Sequence, residues 1–211
     1  TKKVTAPTSK SDIVKLYNTA AATASSKKPG YKKSTNTVLS NLQMGALSSI
    51  SAVRDAIGGF LGEGSSSSTV SKGKFDGNSL VKSSLKAGDV SSASCTLSSD
   101  GKYYNVKITV VNETNPKKGS SALGRFTKDY KDIDEIKEGL KEVGASVDTM
   151  TVKTTEVTIN AKIDAKNNRF VSLSHNINMK AEMGGVKYTF IKVNKASASL
   201  ETNVEYSDFK Y

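Results

Sequence analysis

The sequence predicts an α+β fold in which about three helices cover the concave face of one long, curved antiparallel sheet, a half-barrel. Three observations predict it. From Thr149 onward apolar and polar residues alternate almost without interruption, which marks strands buried on one face only. Three segments elsewhere carry their apolar residues at helical spacing instead. A sheet with one apolar face needs a cover, and those segments are the available one.

Thr1 to Lys10 (TKKVTAPTSK) reads as a polar, Pro-containing tether, and residues 11–211 are expected to form a single α+β half-barrel domain. Ser9 to Ala24 opens with a cap signal, because Ser9 or Ser11 can accept from the first free amides and Asp12 complements the helix N-terminus. Ile13, Leu16, Tyr17 and Ala20 follow at helical spacing, and Lys27-Lys28-Pro29-Gly30 ends the run. Tyr31 to Met44 reads as a strand. Ala46 to Leu61 returns to helical period, with Leu47, Ile50, Val53, Ile57 and Leu61 on one stripe. Gly62 to Gly73 (GEGSSSSTVSKG) reads as a flexible loop.

Val90 to Leu97 and Tyr103 to Val111 flank Ser98-Ser99-Asp100-Gly101, a strong hairpin signal that Asn115 to Gly119 is expected to close. Asp132 to Val143 is a short amphipathic helix with Ile133, Ile136, Leu140 and Val143 inward. The final meander runs through Val157 to Ile163, then Val171, Leu173, His175, Ile177, Met179, Ala181 and Met183, then Val186 to Val193, then Ala196 to Tyr206. Asp164 to Arg169 and Gly184-Gly185 are read as its tight turns.

Composition narrows the function classes. Cys95 is the sole cysteine, so no intramolecular disulfide and no thiolate zinc site can form, and its place in Ser91, Ala93, Cys95, Leu97 suits a buried thiol. No stretch approaches the roughly 18 apolar residues of a membrane helix. The net charge of +11 attracts polyanions, yet the basic pairs are dispersed (Lys2-Lys3, Lys27-Lys28, Lys32-Lys33, Lys117-Lys118) and Arg is scarce. Base recognition relies on Arg and stacked aromatics, so nucleic acid is not expected as a partner. A solvated, solubilising surface is the simpler use of the charge.

Motifs for chemistry are mostly missing. No Gly-Lys-Ser/Thr tripeptide occurs, and Gly62-Glu63-Gly64 lacks the third glycine and the preceding strand of a dinucleotide fingerprint. Asp164-Ala165-Lys166-Asn167-Asn168-Arg169 has Lys, Arg and His where a calcium loop needs an oxygen ligand, glycine and glutamate. Glu156, Asp164 and Glu182 have no visible acid/base partner. His175, the single histidine, lies among Leu173, Ile177 and Met179 as either a hydrogen-bonded core residue or a polar group inside a ligand cavity. Catalytic residues, metal ligands and cofactors are therefore not expected.

The order of elements, ending in Tyr206-Ser207-Asp208-Phe209, and the stretch DAKNNRF followed by VSLSHNINMKA resemble clostridial secreted proteins and lipoproteins. In architecture the chain is also similar to LolA-type and LppX-type lipoprotein carriers, whose half-barrels hold acyl chains against helices. The resemblance implies a secreted, extracellular protein of a Gram-positive cell envelope; the polar tether Thr1 to Lys10 is read as following a signal peptide that ends in a lipid-modified cysteine, and the missing motifs predict no enzyme. The expected role is to hold a lipid or other amphiphile on the sheet, as a monomer, with His175, Ile177, Met179, Tyr188 and Phe190 as the ligand-binding residues. The alternative is a structural or interaction protein with a solid interior that contacts anionic wall polymer or a membrane surface through its positive charge.

Overall fold

A computed structural model describes residues 5–49, 51–74, 76, 77 and 79–211, with the side chains of residues 49, 52, 53 and 56 outside the description. Ile50, the Val53 side chain and the Lys2-Lys3 pair, all singled out above, lie outside the described residues. The fold is α+β, with a large open antiparallel sheet of eight strands and three α-helices among the described residues. In chain order these are α1 (Lys10–Lys27), β1 (Gly30–Gln43), α2 (Ser51–Leu61), β2 (Gly64–Val70), β3 (Val90–Leu97), β4 (Tyr103–Val110), α3 (Ile133–Glu142), β5 (Ala145–Ser146), β6 (Thr149–Asp164), β7 (Arg169–Tyr188) and β8 (Ile191–Lys210). The sheet order is β2-β1-β8-β7-β6-β4-β3, with β5 paired to the end of β7.

Local signals explain the helix limits. Ser9 caps α1 by accepting from the Asp12 amide at 3.1 Å, and Lys28 ends it in the left-handed conformation just before Pro29. Asp132 and Glu135 form a reciprocal capping box at the start of α3. Ile136 and Leu140 are buried, while Ile133 and Val143 pack against the core only in part.

The long strands bury one face. On β8 the even-numbered Ala196, Ala198, Val204 and Tyr206 are inward, and on β7 the odd-numbered Leu173 to Ala181. The outward face is polar, and there Asn176 donates to Asn203 (2.7 Å) and to Glu201 (3.3 Å). Two bulges change which side chains face in. One between Thr154 and Glu156 makes Met150 and Val152 share a face with Val157, Ile159, Ala161 and Ile163. The other, opposite Lys162-Ile163, turns Phe170 inward and leaves Val171 37% exposed, correcting the inward position expected for Val171.

Further expectations are corrected. The serine stretch read as a loop is β2, held in register with β1 from Tyr31↔Val70 to Thr37↔Gly64. Backbone pairing needs no apolar side chain, so the composition hid it. Gly184-Gly185 lie inside β7 and make no turn, whereas Thr189-Phe190 end it and split the strand expected over Val186 to Val193. Asn115 to Gly119 do not close the β3–β4 hairpin. Asn115 instead exchanges hydrogen bonds with Val152 of β6, with its amide donating at 2.6 Å and its Oδ1 accepting at 2.8 Å. Cys95 is half-buried on the edge strand β3, less enclosed than expected, and burial raises its thiol pKa.

No described helix is long and apolar enough to cross a membrane.

Candidate functional site

Two polar features lie on the apolar side of the sheet. The first is a buried cluster. Lys33 has inward parity on β1, between Tyr31 and Thr35, so its ammonium is driven into the interior with a relative exposure of 6%. This corrects its reading as part of a solvated surface pair. The segment leading to α3 brings Asp129 to it, with Lys33 Nζ 2.5 Å from Asp129 Oδ1. Tyr206 donates its hydroxyl to Asp129 Oδ2 at 2.7 Å, and Thr127 donates to the same oxygen at 3.3 Å. Burial works to raise the Asp129 carboxyl, but the Lys33 ammonium and the Tyr206 hydroxyl outweigh it and hold the carboxyl below its usual range.

His175 adjoins this cluster. Its Nε2 is 3.4 Å from the Tyr17 hydroxyl of α1, and its Nδ1 is buried without a hydrogen-bond partner. Phe126 and Tyr206 pack against it in T-shaped geometry, with ring centroids at 5.0 and 5.6 Å. Burial pushes the imidazole down to about 4, against the opposing attraction of Asp129. A neutral imidazole packed this way supports the core and meets no opening.

The second feature is a half-open cavity of about 290 Å³. Its floor is Val152 of β6, Met179 and Ala181 of β7 and Leu200 of β8, while Leu61 at the end of α2 and Ile136 of α3 close its sides. Thr35, Thr37 and Thr202 supply hydroxyls on the β1–β8 side, and Asp129 joins the cavity to the buried cluster. Lys118, Lys128, Tyr130 and Lys131 also line it. Lys118 meets Glu135 at 2.6 Å, Lys131 lies over the Phe60 ring at 5.3 Å, and Lys128 has no ion-pair partner among the described residues. Burial raises the Tyr130 phenol to about 12, so it stays neutral.

Glu113 holds the wall that carries these lysines. Its carboxylate accepts from the amides of Ala122 (2.7 Å) and Leu123 (2.9 Å), and its own amide donates to Thr154 Oγ1 (2.7 Å) on β6. The segment is thereby tied to the sheet. Larger depressions of about 560 and 580 Å³ exist on the outward face, lined by polar residues such as Lys180, Glu182, Asn160 and Ser174. They are shallow grooves that would leave an apolar ligand in water.

Of the five residues expected to bind a ligand, Met179 lines the cavity. His175 and Ile177 are each 1% exposed within the core and do not line it. Tyr188 is half-buried near the tip of β7, and Phe190 is 94% exposed in the turn beyond it, away from the apolar face where it was expected. No sequence motif marks Asp129, Lys128 or Glu113, and Lys33 stands out in the sequence only as half of a basic pair. The strand parity Tyr31, Lys33, Thr35, Thr37, Leu39 was the available signal for Lys33. Among the described residues no group of three or more His, Cys, Asp or Glu is placed to hold a metal.

Comparison with protein families, curated proteins and solved structures finds no match to this chain.

Proposed function

We propose that the protein is a non-enzymatic binding protein of the cell envelope, secreted and extracellular, which holds an amphiphile with an apolar tail and an anionic head in the cavity between the sheet and α3. The observation that carries this reading is the pairing of an apolar floor (Val152, Met179, Ala181, Leu200) with a lysine-bearing wall in one opening. Binding sites are commonly apolar concavities from roughly 300 Å³ upward with a few fixed polar groups, and this cavity lies at the small end of that range. In this reading the long sheet is a half-barrel whose concave side faces the helices.

The +11 charge favours a second reading, contact with anionic wall polymer through the surface at large. A direct test uses cis-parinaric acid as the probe, together with mass spectrometry of an organic extract of protein purified from its own host. Saturable one-to-one binding that Lys128→Glu weakens, and a co-purifying amphiphile in the extract, are expected. Absence of both, with retention on teichoic acid, would replace the first reading by the second.

A further inference from the structure

β7 and β8 are each 20 residues long and meet in the turn Thr189-Phe190. Phe190 is 94% exposed, far more than Val38 (44%) or Val171 (37%). A lone exposed aromatic is unremarkable on a surface. Here it stands beside a second anomaly, because Lys187 and Lys192 lie directly opposite each other across the strand pair. Like charges in that position destabilise a sheet. Asp148 reaches Lys187 at 3.3 Å, but Lys192 and Lys195 have no ion-pair partner among the described residues. The tip thus combines an unshielded ring with cations whose placement opposes folding.

One kind of partner satisfies both features. Anionic headgroups neutralise the lysines, and the headgroup–acyl boundary removes the phenyl ring from water. A soluble phosphate polymer offers the ring nothing, and a second copy of the tip would bring the same cations into repulsion. We propose that the β7–β8 tip docks on an anionic lipid surface, Phe190 entering the boundary and Lys187, Lys192 and Lys195 facing the headgroups. Docking of this size is reversible. Burial of one phenyl ring accounts for roughly a tenfold gain in partitioning, and each lysine near the surface for about fivefold. The inference stands apart from the cavity reading, since the tip and the cavity share no residue.

The chain contains no tryptophan, so Phe190→Trp installs a sole indole at the tip and Val171→Trp a control at the other end of β7. With vesicles of mixed phosphatidylcholine and phosphatidylglycerol, the emission of Phe190→Trp should shift to the blue while that of Val171→Trp stays unchanged, and neither should respond to pure phosphatidylcholine. Co-sedimentation should fall about tenfold in Phe190→Ser, and further when Lys187→Gln and Lys192→Gln are combined with it. Unshifted Phe190→Trp emission on vesicles that do sediment the protein, or equal sedimentation of wild type and Phe190→Ser, would overturn the proposal. So would failure to bind vesicles alongside retention on teichoic acid that Phe190→Ser leaves unchanged. Parinaric acid binding is read separately and does not depend on any of these results.

Discussion

The half of the apolar face beneath α1 and the half beside α3 belong to one sheet yet are finished differently. Under α1, the residues Ile13, Tyr17, Ala20 and Ala24 are at most 3% exposed, Tyr17 and Phe170 pack ring against ring at 5.7 Å, and His175 packs between the Phe126 and Tyr206 rings. Beside α3 the floor residues Met179, Ala181 and Leu200 face a cavity lined partly by lysines. Interiors normally pack to crystal-like density. The contrast therefore separates a closely packed half from one that leaves an opening, with the Lys33–Asp129 pair at their border.

That border should show the largest effect. Asp129→Ala leaves the Lys33 ammonium buried without its carboxylate and the Tyr206 hydroxyl without its acceptor, which is expected to cost about 3–5 kcal/mol in chemical denaturation. Replacing both partners by apolar residues, Lys33→Met with Asp129→Leu, should recover most of the loss, because removing a buried pair is often close to neutral. A single-variant loss below about 1 kcal/mol would mean that water reaches the pair and that no closed border exists.

The next effect belongs to the closed half and is read from pH. The buried His175 titrates near 4 against an ordinary value of 6.5, so between those values the unfolded chain binds a proton that the folded one refuses. Stability contributed by the neutral imidazole is fully present above pH 6.5 and is lost as pH falls toward 4, amounting to roughly 3 kcal/mol over the window. Asp129, whose carboxyl is held low, gives up its contribution only further into acid. Urea melts from pH 7 to 4 should show the slope in the wild type and little of it in His175→Gln. An equal slope in both would place the acid sensitivity elsewhere.

The two halves also differ in how legible they were from sequence. Alternation in Val157 to Ile163 and helical spacing in Ile13, Tyr17 and Ala20 report burial by local pattern, and both segments are buried as read. The cavity is assembled by events that leave no local trace. The bulge at Thr154–Glu156 brings Val152 to the floor, and pairing with β1 makes a strand of the serine stretch that supplies Ser66 to the lining. Glu113 fixes the lysine-bearing segment through backbone amides of residues nine and ten positions away. Alternation does not locate Phe190, because the strand pattern breaks at a turn whose Thr189 adopts positive φ (52°), unusual for a β-branched residue.

The smallest stability effect, and the sharpest test of the contrast, comes from making one substitution in both halves. Ala20 on α1 is completely buried, and Ala181 on β7 is 5% exposed on the cavity floor, so each is a small residue facing the apolar side of the same sheet. Ala20→Leu adds three carbons where no space is free and should cost about 1–3 kcal/mol through overpacking. In Ala181→Leu the added carbons extend into the 290 Å³ opening, and the apolar area they remove from water offsets any adjustment of Met179 and Leu200, so the change should stay within about 1 kcal/mol. Ligand retention should reverse the ranking, with Ala20→Leu keeping parinaric acid affinity near wild type in the folded fraction and Ala181→Leu losing most of it. Equal stability losses in the two variants would show that the α3 half is as tightly packed as the α1 half. A cavity-filling variant that still binds the probe one-to-one would move the site away from this floor.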